Sequence, residues 1–475
     1  MENTKIYNYN RYLSPLDVWA ISFGCTVGWA AFMMPGSTFL PAAGPLGTLI
    51  GLAIGIAVML VIGANVAFLM RNKPGTGGIY TYTKEALGRN HAFICTWFLI
   101  LSYLAILFIN AISLFTVIRT VFGSSLQIGY RSYNIGGNVI SLGEVGASII
   151  ALSCVGLLFI NAKPFLQQLQ TVLAILMLAG VLIAAGYCLP HLGSIGDLSG
   201  SSLGIQENSI PLAVFSIVML TPLVFFGFES VSLETVHFKF KEHRSKWIIA
   251  ASLLTIGIVC IALTLLSVCT TPDGYTSWQT YIADLDKMTG LQSVPSFFSA
   301  QEIMGDVGLW VIAFVALAAI LTSMIAAYRA TMRMLSTMAE NHILSEKFLS
   351  TNHSIMIIMV IAILISILGK NLIECFLDLA PVGAIIGFGY ISLSAWKLAG
   401  KKGSILSAAA GALGTIASVA FAAGNLFLKY KSMETADIKS FLLQGDTKSL
   451  LLLGVWCLLG LIFYLCTVVR RDRPS

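Results

Sequence analysis

Twelve apolar runs separated by short polar stretches organise the chain. They lie at approximately 17–39, 44–70, 91–122, 143–160, 166–189, 210–236, 247–270, 304–328, 354–370, 372–397, 404–427 and 448–469. Each is apolar on all sides rather than along one stripe. A backbone crossing hydrocarbon must satisfy its own hydrogen bonds, so these runs are expected to be helices. A membrane β-barrel would instead show alternating segments of about ten residues. The ninth and tenth runs are poorly separated, with Lys370 and Asn371 predicting a short turn.

Composition agrees with a lipid environment. Apolar residues make up 57% of the 475 positions and charged residues 11%, against about 25% charged in soluble proteins. This excludes a soluble enzyme, a disordered chain and a secreted disulfide scaffold. The nine cysteines lie mostly inside apolar runs and form no CxxC pair, so they read as small hydrophobes. The polar stretch 1–16 precedes an apolar run without a cleavage site, which reads as a retained helix rather than a signal peptide.

The net charge of +6 is scattered between apolar runs, which is no nucleic-acid footprint. It orients the chain instead. With the N-terminus inside, the inner segments collect Lys5, Arg11, Arg71, Lys73, Lys84, Arg89, Lys163, Lys239, Lys241, Arg244, Lys246, Arg329, Arg333, Lys347, Lys397, Lys401, Lys402, Arg470, Arg471 and Arg473. The outer side keeps Arg119, Arg131, Lys287, Lys370 and a group around 429–448. The positive-inside rule places both termini in the cytoplasm of a multi-pass cell-membrane protein. One connection is long, 271–303, with Trp278 and Phe297–Phe298; it reads either as a short helix over the outer mouth or as a solvated loop.

Two of the runs are interrupted. The first contains Gly24, Gly28 and Pro35; the sixth contains Pro222, Gly227 and Glu229. Glycine weakens a helix and proline removes a backbone donor. The interruptions are five segments apart, and an odd spacing inverts the second copy. Paired broken helices in corresponding halves point to a transport site at the midplane. Glycines also permit close helix packing, as Gly47, Gly51 and Gly55 of the second run are expected to do. At a break, free N–H groups attract a carboxylate and free carbonyls an ammonium.

Four stretches resemble the amino acid–polyamine–organocation superfamily of secondary transporters. They are Gly24-x-x-Val27-Gly28-x-Ala30-x-Phe32; Pro74-Gly-Thr-Gly77-Gly78-Ile-Tyr80-Thr-Tyr82 with Leu87-Gly88; Phe225-Phe-Gly-Phe-Glu229-Ser with Glu234; and Arg333 to Leu344. They cover roughly residues 15–400. The chain departs from the pattern at Ala30, where the superfamily has a third glycine, at His237-Phe-Lys-Phe-Lys, and at Ser345. The resemblance implies an all-α membrane protein with 12 transmembrane helices and a five-plus-five inverted-repeat core of the leucine-transporter type. Its first and sixth helices would be discontinuous. The repeats would be 17–189 and 210–397, with two more helices at 404–469 and cytoplasmic tails at 1–16 and 470–475.

The same resemblance implies roles for residues. The substrate carboxylate would meet backbone amides of Gly28, Trp29 and Ala30, and its amine the carbonyls of Thr26 and near Leu223 and Phe226. Asn110 matches a pocket asparagine of arginine/agmatine antiporters; from its place in an apolar run it is either a substrate ligand or interhelical glue. The tryptophan that stacks on guanidinium in those antiporters falls on Ala327, which disfavours strict arginine exchange. Ala319-x-x-Thr322-Ser323 resembles the oxygen cluster that binds sodium in some members. Hydroxyls in a membrane helix otherwise bond their own backbone.

Glu229 is a carboxyl within an apolar run, a functional candidate by position. It reads either as a proton carrier or as an inert group bonded to the first helix, with Gly24 and Gly227 beside it at the breaks. Glu234 is expected to pair with a loop cation, and Asp378 is a weaker candidate. No i,i+4 histidine pair and no GxxxxGK[ST] occur, so neither a metal site nor an ATPase is indicated. The expected function is secondary transport of an amino acid or related amine by alternating access, proton-coupled or by exchange. Sodium coupling, polyamine transport and a non-transporting sensor are the alternatives. No cofactor and no nucleic-acid partner is expected; the partners are substrate and lipid, and monomer or homodimer stays open.

Overall fold

The computed structural model describes residues 11–75, 77–123, 132–135, 138–192, 210–369, 372–435 and 445–469. Lys5, Thr76, Arg131, Lys370, Asn371, Arg470, Arg471 and Arg473 lie outside the described residues, as do most of the N-terminal tail and the whole of the C-terminal one.

Each apolar run is helical. In chain order the elements are α1 (Pro15–Thr26), α2 (Ala30–Met34), α3 (Leu40–Asn72), α4 (Gly78–Leu87), α5 (Arg89–Phe122), α6 (Leu142–Asn161), α7 (Lys163–Cys188), α8 (Ile210–Val224), α9 (Ser245–Leu266), α10 (Trp278–Ala283), α11 (Pro295–Glu340), α12 (Thr351–Ser366), α13 (Ile373–Lys401), α14 (Ile405–Thr435) and α15 (Gly445–Tyr464). Two four-residue strands, Ser132–Ile135 and Asn138–Ser141, pair antiparallel in an otherwise helical membrane protein.

Among the described residues ten helices are long and apolar enough to cross a membrane. Two features account for the difference from twelve. The first run is cut: α1 stops at Thr26, and its continuation from Ala30 joins α3 in one stretch of 43 residues. At about 1.5 Å per residue that stretch would be twice as long as a bilayer core requires. A kink at Gly44 (φ 60°, ψ −177°), before Pro45, divides it. The ninth run, α12, has 16 helical residues, a rise of about 24 Å against a core of about 30 Å.

α1 starts on a capping box. Ser14 Oγ accepts from the Asp17 N–H while Asp17 Oδ2 accepts from the Ser14 N–H, and Pro15 occupies the first helical position. α1 packs against α7, α9 and α11, and α5 packs against α11 and α13. Long apolar side chains stay exposed on α14 and α15, such as Leu426, Leu451 and Leu458. Such a surface suits lipid contact and would aggregate in water. The 271–303 connection is largely helical, with α10, short 3₁₀ turns at Leu285–Lys287 and Gly290–Ser293, and the start of α11. Phe297 from this connection lies 6.3 Å from the Trp29 ring and 6.2 Å from Phe32, centroid to centroid.

Candidate functional site

The first break falls between α1 and α2. Val27 is extended (φ −86°, ψ 101°), and the helix resumes at Ala30. The N–H of Val27 still reaches Phe23 O at 3.0 Å. The N–H groups of Gly28 and Ala30 have no partner among the described residues. The N–H of Trp29 donates to Asn110 Oδ1 at 2.9 Å. This approach requires glycine at 28, because a Cβ there would stand 2.6 Å from Asn110 Oδ1.

The second break follows α8. Pro222 lies in the last turn, and Gly227 adopts φ +116°, a conformation L side chains rarely take. The chain then continues as a 3₁₀ helix over Phe228–His237 rather than as α-helix. Ten residues of 3₁₀ helix is long for that geometry, which is common where a helix hinges. The two breaks touch each other. A Cβ on Gly227 would lie 2.9 Å from Cys25 Sγ, so the turn of the sixth run sits directly on the end of α1.

Glu229 is wholly buried and satisfied by two donors. Tyr103 of α5 donates its hydroxyl to Oε1 at 2.6 Å, and the N–H of Gly227 donates to Oε2 at 2.9 Å. No lysine or arginine pairs with it among the described residues. The carboxyl thus bridges the break in its own segment to α5, and not to the first helix as the bland reading had it.

A cavity of about 30 Å³ lies between the breaks, lined by Thr26, Val27, Ala30, Met34, Leu223 and Cys260 among others. Of the predicted substrate residues, Thr26, Ala30 and Leu223 line this cavity, whereas Gly28, Trp29, Asn110 and Phe226 do not. Thr26 Oγ1 donates to Ser22 O at 3.0 Å, and the Leu223 carbonyl already accepts from the Phe226 N–H at 3.3 Å. The Phe226 ring packs 4.7 Å from the ring of Tyr103.

The hydroxyl cluster divides. Thr322 packs against Gly24, where a Cβ would meet it at 2.9 Å, and its hydroxyl bonds the carbonyls of Ala318 and Ala319. Ser323 faces the first break: it donates to Cys25 O and accepts from Asn110 Nδ2, both at 3.1 Å. Glu234 pairs with Arg333 of α11 at 3.0 Å rather than with a loop cation, because α11 extends well beyond its apolar run. Arg333 Nη2 also lies 2.8 Å from His237 Nε2. No group of metal-ligating side chains occurs among the described residues.

Sequence reading missed Tyr103 and Cys260. Tyr103 had a usable signal, since it precedes Asn110 by seven residues and so lies two turns away on the same face of α5. Cys260 is a lone cysteine in an apolar run and carries no such signal.

Comparison with known proteins points the same way. The family described as "Amino acid permease" matches residues 13–469. A relative, the branched-chain amino acid permease BcaP of Bacillus subtilis (strain 168), is 26% identical over 235 residues. That match covers 47% of each chain, so the chain spans about half the length of the curated relative it matches.

Proposed function

Because the chain belongs to the amino acid permease family and is a multi-pass membrane protein, we propose that it carries an amino acid across the cell membrane by alternating access. The observation that carries this reading is the meeting of two broken helices at Cys25 and Gly227, beside free amides at Gly28 and Ala30. Those amides suit a carboxylate, and the Thr26 carbonyl at the end of α1 suits an ammonium. An apolar side chain fits the remaining surface of Val27, Met34, Phe39 and Val224. Branched-chain amino acids are therefore the first probes to try.

In this reading the twelve apolar runs cross the membrane, ten of them as two inverted repeats, with both ends cytoplasmic. Glu229 carries a proton or gates the sixth segment through its bond to Gly227. Tyr103 orients it. The test is uptake of radiolabelled amino acids into vesicles containing the purified protein. Saturable uptake of an amino acid supports the proposal; a protein that takes up none of the twenty, yet binds one, would be a sensor instead.

A further inference from the structure

We infer that Asn110 Oδ1 and a substrate carboxylate compete for the Trp29 N–H, and that a carboxylate-bearing substrate binds by displacing the side chain. The inference rests on the permease reading above and adds to it a substrate class and a release mechanism. It gives Asn110 a role opposite in sign to that of a ligand.

The geometry is specific. A carboxamide oxygen has the size and trigonal setting of one carboxylate oxygen. Asn110 Oδ1 holds the Trp29 N–H at 2.9 Å, on the backbone turn between the free amides of Gly28 and Ala30. Its Nδ2 is fixed by Ile106 O at 2.8 Å and Ser323 Oγ at 3.1 Å. The side chain is buried and bound on three sides. The neighbouring cavity is small, at about 30 Å³, and Ala30 lines it. A substrate carboxylate entering here meets an occupied donor.

Chemistry decides the exchange. A hydrogen bond to an ionised acceptor is about twice as strong as one between neutral groups, so a carboxylate can replace the carboxamide on Trp29. An ammonium is only a donor and cannot take that N–H. An amine without a carboxylate therefore leaves Asn110 seated. The reverse step matters as much. When substrate departs, the Trp29 N–H would be buried without an acceptor, a state that proteins avoid. Asn110 returns to it and lets the empty site close. Asn110 thus lowers affinity, speeds release and permits return of the unloaded carrier.

The test compares an amino acid with its decarboxylated amine. All twenty amino acids are screened for thermal stabilisation of the wild type. The best is then measured beside its amine, for leucine 3-methylbutylamine, in wild type and Asn110→Ala. The expected result is amino acid affinity about threefold to tenfold tighter in the variant, the size of one net hydrogen bond, with amine affinity unchanged. Net uptake into substrate-free vesicles should fall relative to exchange. Should Asn110→Ala fail to fold, Ser323→Ala loosens the same side chain and should tighten binding in the same direction. If the wild type binds an amino acid and the folded variant binds it equally or more weakly, this inference alone is overturned. A wild type that binds none of the twenty overturns the permease reading and this inference together.

Discussion

Tyr103 and Glu229 form a buried pair across two helices, the phenol donating to the carboxyl at 2.6 Å. The carboxyl's other oxygen accepts from the N–H of Gly227, so a side chain of α5 is tied through Glu229 to the turn that breaks the sixth segment. The bond joins a continuous helix to a hinge. Tyr103→Phe keeps the ring packed on Phe226 but leaves one carboxyl oxygen without its donor. The loss should lower stability by about 1–3 kcal/mol. The midpoint of thermal unfolding in detergent reads this, and a variant as stable as wild type would show that the pair contributes nothing.

Gly227 carries a second, independent constraint. Its φ of +116° and its approach to Cys25 leave no place for a methyl group. Gly227→Ala should destabilise the protein by about 1–3 kcal/mol and reduce uptake. Gly146 on α6 serves as the comparison, since a Cβ there meets nothing within 4 Å. Gly146→Ala should leave the unfolding midpoint where it was or raise it, because alanine suits a helix interior better than glycine; an equal fall in both variants would refute the steric argument.

Much of this fold was legible because lipid simplifies the code. Apolar runs with few charges become helices, and the breaks at Gly28 and Gly227 were marked by glycine and proline within those runs. The contacts across the breaks were not legible. Asn110 could be named as a buried polar group, but not that its oxygen would hold the Trp29 amide, because packing across 81 positions sets that bond. Glu234 found Arg333 rather than a loop cation because a helix that leaves the apolar run carries its cations with it. Thr322 and Ser323 are neighbours of similar chemistry and both meet α1, yet only the Ser323 hydroxyl bonds across to the first break, a difference of about 100° in helical phase that a motif does not display.

The pair Glu234–Arg333 offers an asymmetric test. Glu234 is almost fully buried, with 2% of its side chain exposed, while Arg333 retains 26%. Removing the arginine leaves a buried carboxylate with only the more weakly interacting Arg329 and His237 beside it; removing the carboxylate leaves an Arg333 that can reach water. Arg333→Ala should therefore destabilise more than Glu234→Gln, by about 1–3 kcal/mol against less than about 1 kcal/mol. The double variant should recover part of the loss. Equal single effects without recovery would mean that the two groups act independently.

Orientation is tested by accessibility. In a background without native cysteines, a cysteine at Lys402 should be shielded from an impermeant thiol reagent in intact cells, and one at Asp284 should react. Asp284 lies in the connection between α9 and α11, where Lys287 Nζ meets it at 2.6 Å and the pair faces solvent. Labelling at Lys402 from outside would invert the positive-inside assignment.

Energy coupling separates the two titled candidates, Glu229 and the Ala319–Thr322–Ser323 cluster. Glu229 is a buried carboxyl with no cationic partner among the described residues, so it can gain a proton without breaking an ion pair. The Gly227 amide and Tyr103 hold it at the hinge, where protonation would weaken one of the two bonds and free the turn. Glu229→Gln should abolish accumulation driven by a pH gradient while leaving exchange of internal for external substrate measurable. Thr322 donates to carbonyls of its own helix, so Thr322→Ala should change gradient-driven uptake far less than Glu229→Gln does. Vesicles given a pH gradient alone and a sodium gradient alone decide between them. Accumulation driven by sodium that survives Glu229→Gln and is lost in Thr322→Ala would transfer the coupling role from the sixth segment to α11.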